Sequence, residues 1–194
     1  GAQLTMWPWG HLAFSYLCYS VWSRLRSDRP PATAPVIVLA FASQLPDLID
    51  KPLAWTFHVF TTGYGLAHSL FFAFPLVVLV GLLARRHRAV GFGAAFGVGY
   101  LSHLGGDVLF GLLVGVDSPF GRVVWPLSNP TGYTADIGFV ERVTRYLNAF
   151  LVNLADGDIG VYVPLYLLLF TTVFGLWLLD GAPPVGALVR RYTE

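Results

Sequence analysis

Five strongly apolar runs, separated by short polar stretches, set the pattern of this chain. They fall at about 9–22, 35–49, 66–84, 89–114 and 161–179. A helix that crosses a bilayer needs about 20 mostly apolar residues, within a range of roughly 17–25. The first run is short unless residues 6–8 contribute, and the second is short enough to tilt or to thin the bilayer. The fourth is rich in glycine, with Gly93 and Gly97 at a spacing that permits close helix contact. The fifth is the most uniformly apolar and carries no ionisable group before Asp180, which gives it a structural role.

Between the fourth and fifth runs, over about 116–160, the pattern changes. Ile137, Val140, Thr144, Leu147, Leu151 and Leu154 recur at spacings of three and four, while Glu141, Arg142, Arg145 and Asn148 point elsewhere. This periodicity predicts an amphipathic helix over about 136–154, lying on the membrane or over the bundle. It either covers apolar surface or serves as a lid or lateral gate for lipid. The fold expected is therefore all-α: a polytopic integral membrane helical bundle with about five transmembrane helices and one amphipathic interfacial helix. It forms one domain over 6–194, with residues 1–5 reading as a cloning remnant ahead of Met6.

Composition agrees. The chain has 194 residues, 55% of them hydrophobic and 12% charged, with mean hydropathy +0.62. A soluble domain carries about twice that charged fraction. The net charge of +1, with basic residues scattered in short loops, gives no sign of a nucleic-acid partner. A single cysteine, Cys18, excludes an intrachain disulfide.

The basic residues orient the chain. Arg24, Arg26 and Arg29 follow the first run, Arg85, Arg86 and Arg88 the third, and Arg190 and Arg191 the fifth. In a five-helix protein these segments share one side, which the positive-inside rule makes cytoplasmic. The protein is then a multi-pass cell-membrane protein with its N-terminus outside and its C-terminus in the cytoplasm. Trp7, Trp9, Trp55 and Trp125 fall near the outer ends, where an aromatic belt lies.

In that topology His11, Asp47, His68, His103 and Asp107 all land on the outer side, each in or at the end of an apolar run. An ionisable group inside a membrane is costly, and its default reading is functional. His103 and Asp107 are four residues apart, on one helix face, with Gly105 and Gly106 between them implying close approach of a neighbour. A buried His–Asp hydrogen bond is the plainer alternative. Asp47 reads as a ligand or a turn carboxylate after Pro46. Asp50 reads as an orienting group, a general base or a solvated turn residue. The mixed set suits a divalent ion, with Zn²⁺ first and Mn²⁺ or Fe²⁺ as alternatives. Asp47 or Asp50 would orient or deprotonate the attacking water. Arg122 and His58 are candidates for substrate contact, Arg122 as a phosphate clamp. A headgroup-contacting arginine and a surface histidine are the competing readings. His87, in a basic loop, falls outside the set.

Trp9-Gly10-His11, Pro46-Asp47-x-x-Asp50, His68-Ser69 and Ser102-His103-x-x-x-Asp107, followed by Trp125-Pro126, resemble in order and spacing the YdjM-like family of membrane-bound metal-dependent hydrolases. The resemblance covers roughly residues 7–126. A more distant resemblance is to zinc-dependent phospholipase C and related nucleases. It implies His11, Asp47, His68, His103 and Asp107 as metal ligands, with Asp107 bridging two ions. Those enzymes carry a later His-x-x-x-Glu, whereas this chain has no histidine after His103, so one or two ions are expected rather than three.

The function expected is a metal-dependent hydrolase acting near the extracytoplasmic interface on a lipid or lipid-linked phosphoester. The alternatives are a metal or proton carrier, and an accessory membrane protein with a structural metal. Against the carrier stands the lack of a polar path through the fifth run and the inner halves of the others.

Overall fold

The computed structural model describes residues 6–128, 137–157 and 160–193; the expected cloning remnant at 1–5 lies outside them. The elements are α1 (Pro8–Ser27), α2 (Thr33–Ala42), α3 (Leu45–Trp55), α4 (Leu70–Arg86), α5 (Val90–Leu113), a 3-10 turn at Pro119–Val123, α6 (Phe139–Ala155), α7 (Tyr162–Leu179) and α8 (Val185–Thr193). Among the described residues there is no strand.

Among the described residues, three helical stretches are long and apolar enough to cross a membrane, Thr33–Trp55, Val90–Leu113 and Tyr162–Leu179, fewer than the five expected. The difference has two causes. The third apolar run loses its first residues to a turn, so α4 is only 17 residues long. In α1 the run continues past Trp22 into Arg24 and Arg26, and Ser15, Ser20 and Ser23 dilute its apolar character.

The second run is not one helix. It breaks at Ser43 and Gln44, so α2 and α3 are separate helices within one stretch. Pro46 near the start of α3 has no N–H to offer the preceding turn, which makes a break here inexpensive. The break has a consequence for the site, because it leaves the carbonyl of Ser43 available to another partner.

Helix α5 is the axis of the bundle and packs against α1, α2, α3, α4 and the 3-10 turn. Glycine makes the approach possible. A Cβ on Gly93 would lie 2.6 Å from Ala84 Cβ, and one on Gly99 would lie 2.8 Å from the Leu39 carbonyl oxygen and 3.0 Å from Ala42 Cβ. Tyr100, Leu104, Ala73 and Val123 form a buried cluster on the α4 side of α5, and Tyr16, Tyr19, Val36, Leu39 and Ala95 form another on the α1–α2 side.

Helix α7 is held to α1 by a buried polar clasp. Asp180, 8% exposed, accepts from Tyr16 Oη at 2.8 Å and Ser20 Oγ at 2.6 Å, and pairs with Arg24. The polar groups of α1 therefore extend into its C-terminal half, the half expected to be cytoplasmic and to offer no polar path. Elsewhere Leu167, Leu168 and Phe174 of α7, and Phe71, Phe74 and Leu82 of α4, are exposed. Lipid tails solvate such surfaces as well as protein does, so in a bilayer they need no further cover.

The amphipathic helix is present as α6, but its predicted apolar stripe does not face the bundle. Val140 is 76% exposed and Leu147, Leu151 and Leu154 are also exposed. The packing face is aromatic instead. Phe139 and Tyr146 lie 5.4 and 6.3 Å from Trp55, Phe150 lies 5.9 Å from Trp7, and Arg142 stacks over Trp55. Trp55 is consequently buried beneath α6.

Candidate metal centre

The residues expected to bind metal arrive from different elements. His11 comes from the first turns of α1, Asp47 from the first turn of α3, His68 from the turn before α4, and His103 and Asp107 from successive turns of α5. All are buried: His68 and His103 at 0% exposure, His11 at 1%, Asp107 at 2% and Asp47 at 8%.

Two of the imidazoles are held by partners that can only accept. His68 donates from Nδ1 to Asp50 Oδ2 at 2.8 Å, and His103 donates from Nδ1 to the Ser43 carbonyl at 2.6 Å. Each ring therefore turns its Nε2 lone pair inward, and those two nitrogens stand 3.2 Å apart. Two lone pairs at that distance repel unless a proton or a cation lies between them. Asp107 Oδ2 completes a triangle, 3.5 Å from His68 Nε2 and 3.6 Å from His103 Nε2. If these edges belong to a tetrahedron, dividing by its edge-to-radius ratio of about 1.63 puts the centre about 2.0–2.2 Å from each atom, the span of zinc–nitrogen and zinc–oxygen bonds. Asp107 Oδ2 is buried and has no hydrogen-bond donor among the described residues. A buried carboxylate oxygen in that state costs free energy that a cation would offset.

The cluster continues on the other side. Asp47 Oδ1 lies 3.4 Å from His68 Nε2 and 3.7 Å from His103 Nε2. His11 stacks on His103 with ring centroids 3.7 Å apart, and its Nε2 faces Asp107 Oδ1 at 3.6 Å. Among the described residues, two groups have the spacing to hold an ion: His68, His103 and Asp107, and His11, Asp47 and His103. His103 belongs to both, and the two oxygens of Asp107 face different histidines.

Asp50 is not part of the inner set. It is fully buried and accepts from the backbone N–H groups of Gly65, Ala67 and His68 at 2.9, 3.0 and 2.9 Å, as well as from the His68 ring. Its oxygens are used by these four donors, so the carboxylate clamps residues 65–68 and fixes the His68 ring. Tyr100 adds to the clamp by donating to the Ala67 carbonyl at 2.7 Å. Ser69 caps α4 and donates to the Trp125 carbonyl, which ties the Trp125-Pro126 step to the start of that helix.

Arg122 is buried in the 3-10 turn and stacks over Tyr64 at 4.9 Å, while Tyr64 meets the His68 ring edge-on at 5.1 Å. His58 is exposed in the loop after α3 and outside the cluster. His87 is exposed beyond the end of α4. Of the two glycines beside the His103–Asp107 pair, Gly106 makes the close approach expected and Gly105 has open space around it.

Three participants were missed by sequence reasoning. The Ser43 carbonyl had only the proline at 46 as a signal of the break that frees it. Lys51 pairs with Asp47 Oδ2, and the i, i+4 spacing was its signal. Tyr64 had none.

A family model described as YdjM inner membrane protein matches residues 6–181. No curated protein and no solved structure matches the chain, so the resemblance to zinc-dependent phospholipases gains no support there.

Proposed function

The chain belongs to the YdjM inner membrane protein family, and we propose that its His/Asp cluster is the divalent-metal site of a membrane-embedded hydrolase acting on a lipid or lipid-linked phosphoester. The observation that carries this reading is the triangle of His68 Nε2, His103 Nε2 and Asp107 Oδ2, with edges of 3.2, 3.5 and 3.6 Å. Three protein ligands that leave a tetrahedral corner open are the pattern of catalytic rather than structural zinc. Zinc is the first choice of ion, with manganese or iron as alternatives; a second ion would draw on His11, Asp47 and the other oxygen of Asp107, because His103 Nε2 serves only one ion.

When bound, the ion supplies Lewis acidity and eases deprotonation of water. The protein does the rest. Asp47 turns one oxygen to the cluster and gives the other to Lys51, so it is placed to orient the attacking water and take its proton. Asp50 and Ser43 hold the two histidines in the tautomer that presents Nε2. Lys51 and Arg122 bring positive charge to the cluster and suit an anionic phosphoryl group.

The topology that goes with this reading has five crossings, by α1, α2 with α3, α4, α5 and α7. The N-terminus is outside, the C-terminus is cytoplasmic and α6 lies on the outer interface. Supporting it are the arginines after α1, α4 and α7, and the exposed apolar stripe of α6, which suits the headgroup boundary. The site then sits at outer-leaflet depth, where a lipid headgroup can reach it.

The test is hydrolysis of lipid phosphoesters by detergent-purified protein, before and after chelation and after addition of single metals. Activity that survives full removal of metal would sink the proposal. A carrier is the second reading, favoured by the polar groups along α1: Ser15 bonded to Ser102, then Tyr16, Ser20 and Arg24 at Asp180. Labelling of the cluster from the cytoplasmic side would decide for it.

A further inference from the structure

His11 differs from its two neighbours. Histidines that bind metal almost always give their second ring N–H to an acceptor. His68 has Asp50 and His103 has the Ser43 carbonyl. His11 Nδ1 is buried, in a residue only 1% exposed, and has no hydrogen-bond partner among the described residues. The acceptor it needs has to come from something else.

The place where that acceptor would enter is a cavity of about 330 Å³ between α1, α5 and α7. That volume is at the lower end of the range for small-molecule sites. Its walls are apolar, with Phe14 from α1, Leu109 and Leu113 from α5, and Leu165 and Leu169 from α7. Met6 and Gly106 line it too. A Cβ on Gly106 would lie 3.2 Å from Met6 Sδ, 3.3 Å from Phe14 Cδ1 and 3.6 Å from His11 Nδ1. His11 itself does not line the cavity; Gly106 does, and its missing side chain puts the buried nitrogen behind that part of the wall. The rim residues Leu109, Leu113 and Leu168 are exposed on the flank that a bilayer would cover.

We propose that this cavity binds one acyl chain of a diacyl glycerolipid from the bilayer, whose ester carbonyl oxygen accepts the hydrogen bond from His11 Nδ1. The assignment rests on the reading of a lipid phosphoester substrate and makes it specific. The apolar tail lies among the leucines, the ester stands at Gly106, and the headgroup extends past His11 towards the cluster. A water-soluble phosphoester would meet neither the leucines nor the orphaned nitrogen. A hydrocarbon would fill the walls and leave the nitrogen unsatisfied.

The experiment uses full-length protein and a diester phospholipid carrying a photoactivatable diazirine on one acyl chain. Cross-links are mapped by mass spectrometry, and two unlabelled competitors are compared that differ only in diester or diether linkage. Cross-links are expected at Leu109, Leu165 or Leu169. The diester competitor is expected to outcompete the diether by about fivefold, the ratio that one neutral hydrogen bond supplies. Leu169→Trp, which fills the cavity, should cut labelling at least about fivefold with metal content unchanged, following the rule that a well-packed site rejects added volume. Gly106→Ala, which screens His11 Nδ1, should keep the labelling and lose the diester preference. Equal competition by the two lipids in the wild type, or labelling indifferent to Leu169→Trp, overturns the proposal. Hydrolysis of the diester phospholipid itself, with zinc supplied, is read in parallel. If that activity is absent while labelling behaves as described, the hydrolase reading fails and the lipid site stands.

Discussion

Replacement of Asp50 tests whether it clamps His68 or acts as a base. Its carboxylate is fully buried and receives three backbone N–H groups and the His68 ring N–H, all at 2.8–3.0 Å. Asp50→Ala strands all four donors, and a buried donor left without an acceptor costs about 1–3 kcal/mol. Even the low end sums to about 4 kcal/mol, most of the stability of a protein near the bottom of the usual 5–15 kcal/mol range. That variant is expected to misfold. Asp50→Asn is the informative change, because it keeps the shape, loses the charge and turns an NH₂ towards some of those donors. It should cost about 2–4 kcal/mol on the same accounting. With the His68 ring no longer held, metal affinity should fall about 10- to 100-fold, as for loss of other groups that orient a ligand. Chelator competition gives the affinity and thermal unfolding in detergent gives the stability. If Asp50→Asn binds metal as tightly as the wild type but hydrolyses nothing, the clamp argument is wrong and Asp50 is a base.

Other predictions follow from the same geometry. Gly99→Ala puts a methyl 2.8 Å from the Leu39 carbonyl oxygen, where backbone must move. It should destabilise by about 1–3 kcal/mol, the usual cost of overpacking, and an unchanged melting temperature would refute the tight α2–α5 contact. Asp180→Ala unties Tyr16, Ser20 and Arg24 and should cost about 2–4 kcal/mol in detergent, with metal content retained. Loss of the metal as well would mean that the clasp and the cluster are coupled. Arg122→Ala should raise KM for an anionic phosphoester by about tenfold, roughly the worth of one charge-assisted hydrogen bond, without changing metal content. An unchanged KM would remove Arg122 from substrate contact.

Much of this was legible along the chain because membrane helices declare themselves by length and apolarity. α5 and α7 lie within one residue of the runs that predicted them. His103 and Asp107 could be paired from spacing alone, since a helix puts such residues on one face. What sequence could not give was the break at Ser43, because a proline near a helix start is as compatible with one continuous helix as with two. Nor could it give the roles of Asp47 and Asp50. Both sit on α3, and only the fold of residues 65–68 around one of them separates an inward carboxylate from a clamping one. Which of its two placements α6 takes stayed open for a related reason. Periodicity identifies an apolar stripe but not what it meets, and here Phe139, Tyr146 and Phe150 provided the packing face while the aliphatic residues stayed exposed. The polar clasp at Asp180 was hidden because the serines and tyrosines of the first run lower its hydropathy without saying what they bond to.

The central claim is that the cluster of His11, Asp47, His68, His103 and Asp107 holds a divalent ion. Element-resolved metal analysis of detergent-purified protein, beside His68→Ala, His103→Ala and Asp107→Ala, tests it most directly. The account predicts a stoichiometric transition-metal ion in the wild type, with zinc first, and its loss in each variant while the helical content remains. Wild-type protein that folds normally and carries no ion after exposure to zinc, manganese and iron would contradict it.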